Sequence, residues 1–356
     1  MLQNTWHVPG LDGLRGIAVL IVMIYHGCFF LNDYFPGGII GVDIFFVLSG
    51  FLITSLIVRE FINTSSFSFS NFYIRRFLRL APALLLVLLF VSLINVVIFD
   101  KEKLISNLAA VSITLFSASN FSTMLAIHDI NYLATTWSLS IEEQFYLIWP
   151  VTLFILLRTI HNRFVLAAVV FGLTLFAGWV RLYMMNGDYS WQRLYYGSDT
   201  RMVALMIGCV LGIVLSFDLL SPRLKDVAAK WLTIVSPLGV ICLPLISLYI
   251  TPYNKSTYWG FFAVEIITAI FILDISINNR SIVRRLLSMK WLCWIGSISY
   301  GLYLWNYLLI LLFMRLEFDA FQIVIMGTLA TLLIATSSFY FIEKPFLKLK
   351  SAYGSK

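Results

Sequence analysis

The sequence predicts an all-α, polytopic integral membrane protein with about ten transmembrane helices and one re-entrant or interfacial segment. Three observations support this fold class. The 356 residues are 60% hydrophobic and only 12% charged, with a mean hydropathy of +0.90, which is more apolar than a water-soluble core of this size requires. Apolar runs long enough to cross a bilayer recur from one end of the chain to the other. The Lys and Arg residues fall preferentially on one side of these runs.

Ten apolar runs are predicted to cross the membrane. They lie near 13–31, 39–58, 80–98, 140–157, 164–182, 203–218, 231–250, 259–275, 292–314 and 322–341. No Pro/Gly/Ser-rich linker or internal repeat divides them, so residues 1–356 are predicted to form a single transmembrane domain. The polar stretches between the runs are too short for a soluble enzyme domain, and any chemistry is expected within the membrane part.

The apolar segment 104–125 is ambiguous, and the distribution of basic residues resolves it. If this segment does not cross, 18 of the 25 Lys and Arg residues lie on one side. If it crosses, the bias inverts for all later loops. The positive-inside rule therefore predicts a multi-pass protein of the cell (inner) membrane with both termini cytoplasmic. The same bias explains the net charge of +7, and no basic stripe with interleaved aromatic residues indicates nucleic acid.

His26 lies inside the first apolar run, and Arg15 precedes it by eleven positions. At about 1.5 Å per residue, the two side chains lie roughly 16 Å apart on nearly one face of one helix. A titratable side chain at such a depth indicates a functional site. The alternative is a histidine that hydrogen-bonds to a neighbouring helix and serves packing alone.

Other charged residues sort by depth in the predicted topology. Arg76 and Arg79, three positions apart and therefore on one helix face, lie at the cytoplasmic end of the third span. Asp43, enclosed by apolar residues, lies in the outer part of the second span, and Glu142 and Glu143 begin a later span on the outer side. A carboxylate near a buried histidine orients it for general-base catalysis.

Each of these groups has a structural alternative. The arginines are also typical of a stop-transfer cluster that extends to the membrane surface. The glutamates are also typical of an exposed helix start, where they interact favourably with the helix dipole. Asp43 could form a buried ion pair. The histidines and cysteines of the chain lack metal-ligand spacing, so no metal is expected.

Six segments carry recognisable motifs. They are LDGLRG at 11–16 followed by His26, GVDIFFVLSGFLI at 41–53, RFLR at 76–79, TWSLSIEEQFY at 136–146, SYGLYLW at 299–305 and FIEKPF at 341–346. In this order they resemble the membrane-bound acyltransferase-3 family over essentially the whole chain. One position departs from the family, because many members have a histidine after the fifth motif where this chain has Asn306.

The resemblance implies transfer of an acyl group, usually acetyl, from acyl-coenzyme A to a sugar hydroxyl. In this interpretation His26 is the general base, and Asp43 or the Glu142–Glu143 pair orients it. The predicted coenzyme-binding residues are Arg15, Arg76 and Arg79. Guanidinium groups suit the phosphates of coenzyme A, and the long, thin pantetheine arm is expected to thread between helices toward His26.

The resemblance also implies a glycan or lipid-linked glycan acceptor. The predicted substrate-binding residues are Trp137, Ser138, Tyr146, Asp199 and Arg201. Asp199 and Arg201 could instead pair with each other, the aromatic residues could be interfacial, and Ser138 could carry a transient acyl group. The acceptor stays open between O-antigen of lipopolysaccharide, exopolysaccharide, a lipid-linked or Nod-factor-like oligosaccharide, and a glycosylated natural product.

Two further points stay open at the level of the sequence. The chain ends soon after the last span, so we expect no appended extracytoplasmic domain, and the oligomeric state is not predicted. A proton-coupled transporter is the alternative function, since transporters also bury His, Asp and Glu in their spans. Transporters commonly contain repeated halves with broken helices, and this sequence shows no such pairing.

Overall fold

The computed structural model describes residues 8–27, 36–98, 101–251, 254 and 257–350, and the regular structure in these ranges is helical. The helices are α1 Pro9–Gly27, α2 Ile40–Thr64, α3 Phe69–Ile98, α4 Lys101–Leu115, α5 Ser119–Met124, α6 Thr136–Thr159, α7 Arg163–Asn186, α8 Trp191–Tyr196, α9 Ser198–Ser216, α10 Pro222–Tyr249, α11 Thr257–Ile277, α12 Ile282–Leu287, α13 Lys290–Ser297, α14 Ser299–Arg315, α15 Ala320–Ser338 and α16 Lys344–Lys350. Short 3₁₀ turns cover Pro36–Ile39 and Asn131–Leu133, and a π-helical turn, Phe339–Glu343, joins α15 to α16.

The predicted number of spans is confirmed within the described ranges. Nine helical segments there are long and apolar enough to cross a membrane, and the pair α13–α14, bent by 68°, makes a tenth if the two count as one span. The all-α, polytopic class predicted from the apolar runs is therefore correct. The bend falls at Ile298, the residue before the SYGLYLW motif.

The segment 104–125 contains no helix long enough to span a membrane, in agreement with the prediction that it does not cross. It forms α4, which at 15 residues is about 22 Å long and shorter than the roughly 30 Å hydrocarbon layer. A turn at Ser117, with φ of 53°, leads into the short helix α5. Asn107 Nδ2 donates to Asn95 Oδ1 over 2.9 Å, which fastens α4 to the end of α3.

Helix α2 lies at the centre of the bundle. Of its most apolar window, 78% is buried, against 22% for α3 and for the span that begins at α15. On α3, Leu85, Leu89 and Leu93 are exposed at four-residue intervals and form a stripe suited to lipid contact.

Close helix packing at the centre depends on glycine. A Cβ at Gly50 of α2 would collide with the Leu205 carbonyl of α9, and one at Gly208 of α9 would collide with the Val47 carbonyl of α2. Small residues at such crossings let two membrane helices approach backbone to backbone. This packing holds α2, which lines both cavities described below, in a fixed position.

Candidate active site

Two neighbouring cavities lie among α1, α2, α6 and α14. The larger, of about 840 Å³, is lined by five arginines and is called here the arginine cavity. The smaller, of about 220 Å³, contains His26 and is called the histidine pocket. Along α1, Arg15 faces the first and Val22 and His26 face the second, as expected for side chains seven and eleven positions apart on one helix face.

The arginine cavity carries a strong positive charge. Its five arginines face two carboxylates, an excess of three positive charges, and the exposed Asn63 in its wall shows that it reaches the surface. The arginines are Arg15, Arg59, Arg75, Arg76 and Arg79. The three predicted coenzyme-binding residues are thus brought together in one cavity, although they come from α1 and α3.

The guanidinium groups differ in how firmly they are held. Arg75 Nη2 donates to Glu60 Oε2 over 3.3 Å. The Cζ of Arg76 lies 3.3 Å from the centre of the Tyr146 ring, a cation–π contact. Within the described part of the chain, Arg15 and Arg79 form no hydrogen bond or ion pair through their side chains. Their charges are available to a bound anion.

Glu142 is the second carboxylate of the arginine cavity. Ser49 Oγ donates to its Oε1 and the Tyr146 hydroxyl donates to its Oε2, each over 2.8 Å. The Glu142 carboxylate therefore fixes the hydroxyl of the same Tyr146 whose ring supports Arg76. The expectation that Glu142 orients His26 was wrong, because Glu142 lines the other cavity. Glu143, half-buried on α6, lines neither cavity among the described residues.

The histidine pocket is aromatic. Seven aromatic side chains line it beside His26, namely Tyr25, Trp137, Trp191, Tyr195, Tyr196, Tyr303 and Tyr307. No Asp, Glu, Lys or Arg appears in its described lining. Predicted substrate residue Trp137 lies here, whereas Ser138 and Tyr146 line the arginine cavity.

His26 is held by an amide, and the predicted carboxylate partner is absent from its described contacts. Its Nδ1 lies 3.2 Å from Oδ1 of Asn306, which is only 1% exposed. An amide oxygen can only accept, so with this orientation Nδ1 carries the proton and Nε2 of the neutral ring keeps a free lone pair. The His26 ring also packs against Tyr307, with centroids 5.1 Å apart.

Asp43 is paired with Arg201, whereas the sequence interpretation placed it beside His26. Arg201 Nη2 donates to Asp43 Oδ2 over 2.9 Å, and both side chains are 0% exposed. The Arg201 guanidinium lies 4.6 Å from the Phe261 ring centre and 5.1 Å from that of Tyr195, a wall residue of the histidine pocket. The pair links α2 to α9 beside the aromatic lining of the histidine pocket. Neither residue lines either of the two cavities.

Asp199 and Arg201 do not pair with each other. Asp199 binds Arg193 through two hydrogen bonds of 2.9 and 2.6 Å, and Arg201 binds Asp43. The chain turns at Gly197 between α8 and α9, so Arg193 reaches back to Asp199. A second buried ion pair that the sequence did not predict joins Arg181 to Glu265 over 2.7 Å.

The two cavities are separated by a thin wall. Val42 of α2 and Tyr303 of α14 line both of them, and these two residues are called here the partition. The sequence predicts that the donor arm threads between helices toward His26, and the structure places the partition between the cavity of the arginines and the pocket of His26. Sequence analysis noted Asn306 only as a departure from the family pattern and did not select Tyr303, although Tyr300, Tyr303 and Tyr307 show helical spacing along one face of the motif helix.

Comparison with known proteins identifies the family of this chain. A family profile described as an acyltransferase domain matches residues 8–342. Peptidoglycan O-acetyltransferase OatA of Listeria monocytogenes is 38% identical over 96% of this chain and 56% of its own length. YrhL of Bacillus subtilis, provisionally named a peptidoglycan O-acetyltransferase, is 36% identical over 96% of this chain and 55% of its own.

The chain spans little more than half the length of these curated relatives. The comparison with solved structures found no significant match. The family profile covers both cavities and the motifs that line them. The chain therefore belongs to the membrane-bound acyltransferase-3 family.

Proposed function

We propose that this protein transfers an acetyl group from acetyl-coenzyme A to a hydroxyl of a cell-surface glycan, with His26 as the general base. One observation carries the proposal. A strongly basic cavity that reaches the surface lies directly beside an aromatic pocket that contains a histidine. These are the surroundings that a polyanionic thioester and a neutral sugar each require.

The donor is assigned to the arginine cavity. Coenzyme A carries a diphosphate and a further phosphate at one end of a long, thin arm. Charge-assisted hydrogen bonds from Arg76 and Arg79, with Arg15 deeper along α1, suit those phosphates. The cavity volume of about 840 Å³ lies in the range of ligand sites that enclose cofactor-sized molecules.

The acceptor is assigned to the histidine pocket. Aromatic rings offer broad apolar faces on which a pyranose ring packs, while His26 and Thr135 supply polar contacts. Relatives bear names that specify peptidoglycan, so a peptidoglycan sugar is the first acceptor to examine. O-antigen and the other glycans considered from the sequence have no such support from the relatives.

The chemistry requires one proton transfer in each direction. His26 Nε2 takes the proton of the acceptor hydroxyl as that oxygen attacks the thioester carbonyl carbon. The C–S bond then breaks, and the thiolate of coenzyme A receives the proton from the imidazolium. Asn306 accepts a hydrogen bond from His26 Nδ1 and so keeps the ring in the tautomer that these two proton transfers need. General-base assistance of this kind contributes about 10²–10⁴-fold.

The proposal includes an orientation. The positive-inside bias assigns the end of the bundle that carries Arg15, Arg59 and Arg75 to the cytoplasm, where coenzyme A is found. Both termini would then be cytoplasmic and the histidine pocket would face the outside of the cell membrane. The arginines that line the larger cavity support this assignment, since a cytoplasmic donor and the positive-inside bias require the same side.

Oriented membrane vesicles test function and orientation together. Membranes containing the protein are prepared inside-out and right-side-out, and labelled acetyl-coenzyme A is added outside. We expect labelled glycan in the inside-out vesicles only, and in right-side-out vesicles once they are permeabilised. Labelling confined to intact right-side-out vesicles would reverse the orientation. Absence of covalent label in every preparation would contradict the acyltransferase proposal, and substrate flux without label would favour a transporter.

A further inference from the structure

Tyr303 occupies a special place between the two cavities. On α14, Tyr300 lines the arginine cavity, Tyr303 lines both cavities, and Tyr307 lines the histidine pocket. These positions are separated by three and four residues, so they follow one helix face over about 10 Å. Tyr303 is therefore the point on α14 that any group moving toward His26 has to pass.

Hydrogen bonds fasten the Tyr303 phenol across this passage. Its hydroxyl donates to the Thr135 carbonyl oxygen over 2.9 Å and lies 2.7 Å from Ser138 Oγ. The ring packs edge-on against Phe45 of α2, with centroids 6.3 Å apart. Tyr303 thus connects α14 to the start of α6, and its side chain is only 5% exposed.

Val42, the other half of the partition, is held by the position of its helix and not by a side-chain hydrogen bond. Val42 has no polar atom in its side chain, and its neighbour Asp43 is locked to Arg201. Because α2 is held by the close glycine contacts with α9, the Val42 side of the wall is rigid. Motion that opens the wall therefore has to come from the Tyr303 side, where two hydrogen bonds and the packing of the phenol ring against Phe45 oppose it.

On the basis of the proposed function, we propose that Tyr303 is a positioning residue that keeps the thioester away from His26 until the acceptor is in place. With the phenol held by Thr135 and Ser138, the acyl group waits in the arginine cavity. Displacement of the phenol joins the two cavities and lets the thioester reach the base. Tyr303 thereby limits attack by water, since a thioester beside a general base is exposed to hydrolysis.

The reaction that Tyr303 limits is hydrolysis of the thioester. A water oxygen attacks the thioester carbonyl carbon, the C–S bond breaks, and acetic acid and free coenzyme A are released. His26 takes a proton from the water and returns it to the thiolate. This reaction needs only water and the donor, so release of coenzyme A without acceptor measures how well the partition holds.

The test compares Tyr303→Phe and Tyr303→Ala with wild type in two assays on the same samples. One assay measures acetylated glycan, and the other measures free thiol released without acceptor. We expect Tyr303→Phe, which keeps the ring but loses both hydrogen bonds, to raise acceptor-independent release about fivefold, the factor that corresponds to about 1 kcal/mol. Tyr303→Ala should raise it further, and the fraction of acetyl groups delivered to glycan should fall in the same order.

Two controls make the result specific. Tyr258→Phe removes the hydroxyl of another buried tyrosine, whose oxygen has no hydrogen-bond partner among the described residues and lines neither cavity, and both assays should match wild type. The double variant Tyr303→Phe with His26→Ala should lose the added hydrolysis. A merely structural role for Tyr303 would lower both activities and leave their ratio unchanged.

The outcomes separate this inference from the proposed function. Wild-type protein that acetylates no glycan would contradict the proposed function, whatever the variants do. Wild-type acetylation with unchanged thiol release and unchanged delivery in Tyr303→Phe would overturn the inference alone. Added hydrolysis that persists without His26 would also overturn it, because the partition is proposed to separate the thioester from that base.

Discussion

Replacing His26 by Ala or by Gln is expected to abolish acetyl transfer while the protein still inserts into the membrane. The imidazole is the only general base that the described lining of the histidine pocket offers, and its loss should lower the rate by at least about 10²-fold. Glutamine is a neutral polar side chain that fills similar space, so its effect reports on the lost base more than on lost volume. The measurement is label transferred from acetyl-coenzyme A to glycan, at matched protein levels in the membrane.

His128→Gln serves as the control for His26. This second half-buried histidine contacts the Ser106 carbonyl oxygen through Nε2 over 2.8 Å and lines neither cavity. Glutamine can make the same donation, so activity should match wild type. Wild-type amounts of acetylated product from both His26 variants would remove His26 from the mechanism.

Replacing Arg76 and Arg79 together by Ala is expected to weaken use of the donor much more than use of the acceptor. A hydrogen bond to a charged group contributes about 1.5–3 kcal/mol, so the apparent KM for acetyl-coenzyme A should rise at least tenfold. The apparent KM for the glycan should change little, because the histidine pocket contains neither residue. Steady-state assays that vary one substrate at a time measure both values.

Two further variants distinguish phosphate binding from a stop-transfer role. Arg76→Lys with Arg79→Lys keeps the charge but loses the planar fork, so the donor KM should be intermediate. Arg158→Ala removes an exposed arginine from the end of α6 that packs over Phe154 and lines neither cavity. It should leave the donor KM unchanged. An unchanged donor KM in the double alanine variant, with normal insertion, would favour the stop-transfer interpretation.

The sequence predicts the path of the chain through the membrane well. Apolar runs give the spans, and the basic residues predict that 104–125 does not cross, in agreement with the short helices α4 and α5. The spacing of Arg15 and His26 on one helix correctly places them at two successive levels of the bundle. These inferences depend on periodicity within one helix or on charge summed over many loops.

Contacts between helices were not predictable in the same way. His26 and Asn306 are 280 positions apart, and Asp43 and Arg201 are 158 apart. Spacing along the chain does not show which helices are neighbours. The partner of each buried polar group could therefore be inferred only from its charge. That inference assigned a carboxylate to His26, whereas in the structure Asp43 pairs with Arg201 and His26 contacts the amide of Asn306.

The partition is a further product of helix arrangement. Val42 and Tyr303 belong to motifs near opposite ends of the chain, and neither side chain carries a charge. Their joint position between the cavities follows from the approach of α2 to α14 beside α6. The sequence places Arg15 and His26 at two levels of α1, and only the packing of the helices shows that an aromatic side chain lies between the two cavities.

The most direct measurement is a structure of the protein bound to an acetyl-coenzyme A analogue whose thioester is replaced by a non-transferable thioether. The phosphates should contact Arg76 and Arg79 in the arginine cavity, and the Tyr303 phenol should leave Thr135. The acyl end should then approach His26 Nε2, with the arm running between the two cavities. An analogue bound with its acyl end outside both cavities, or with its phosphates on the histidine side, would contradict the account.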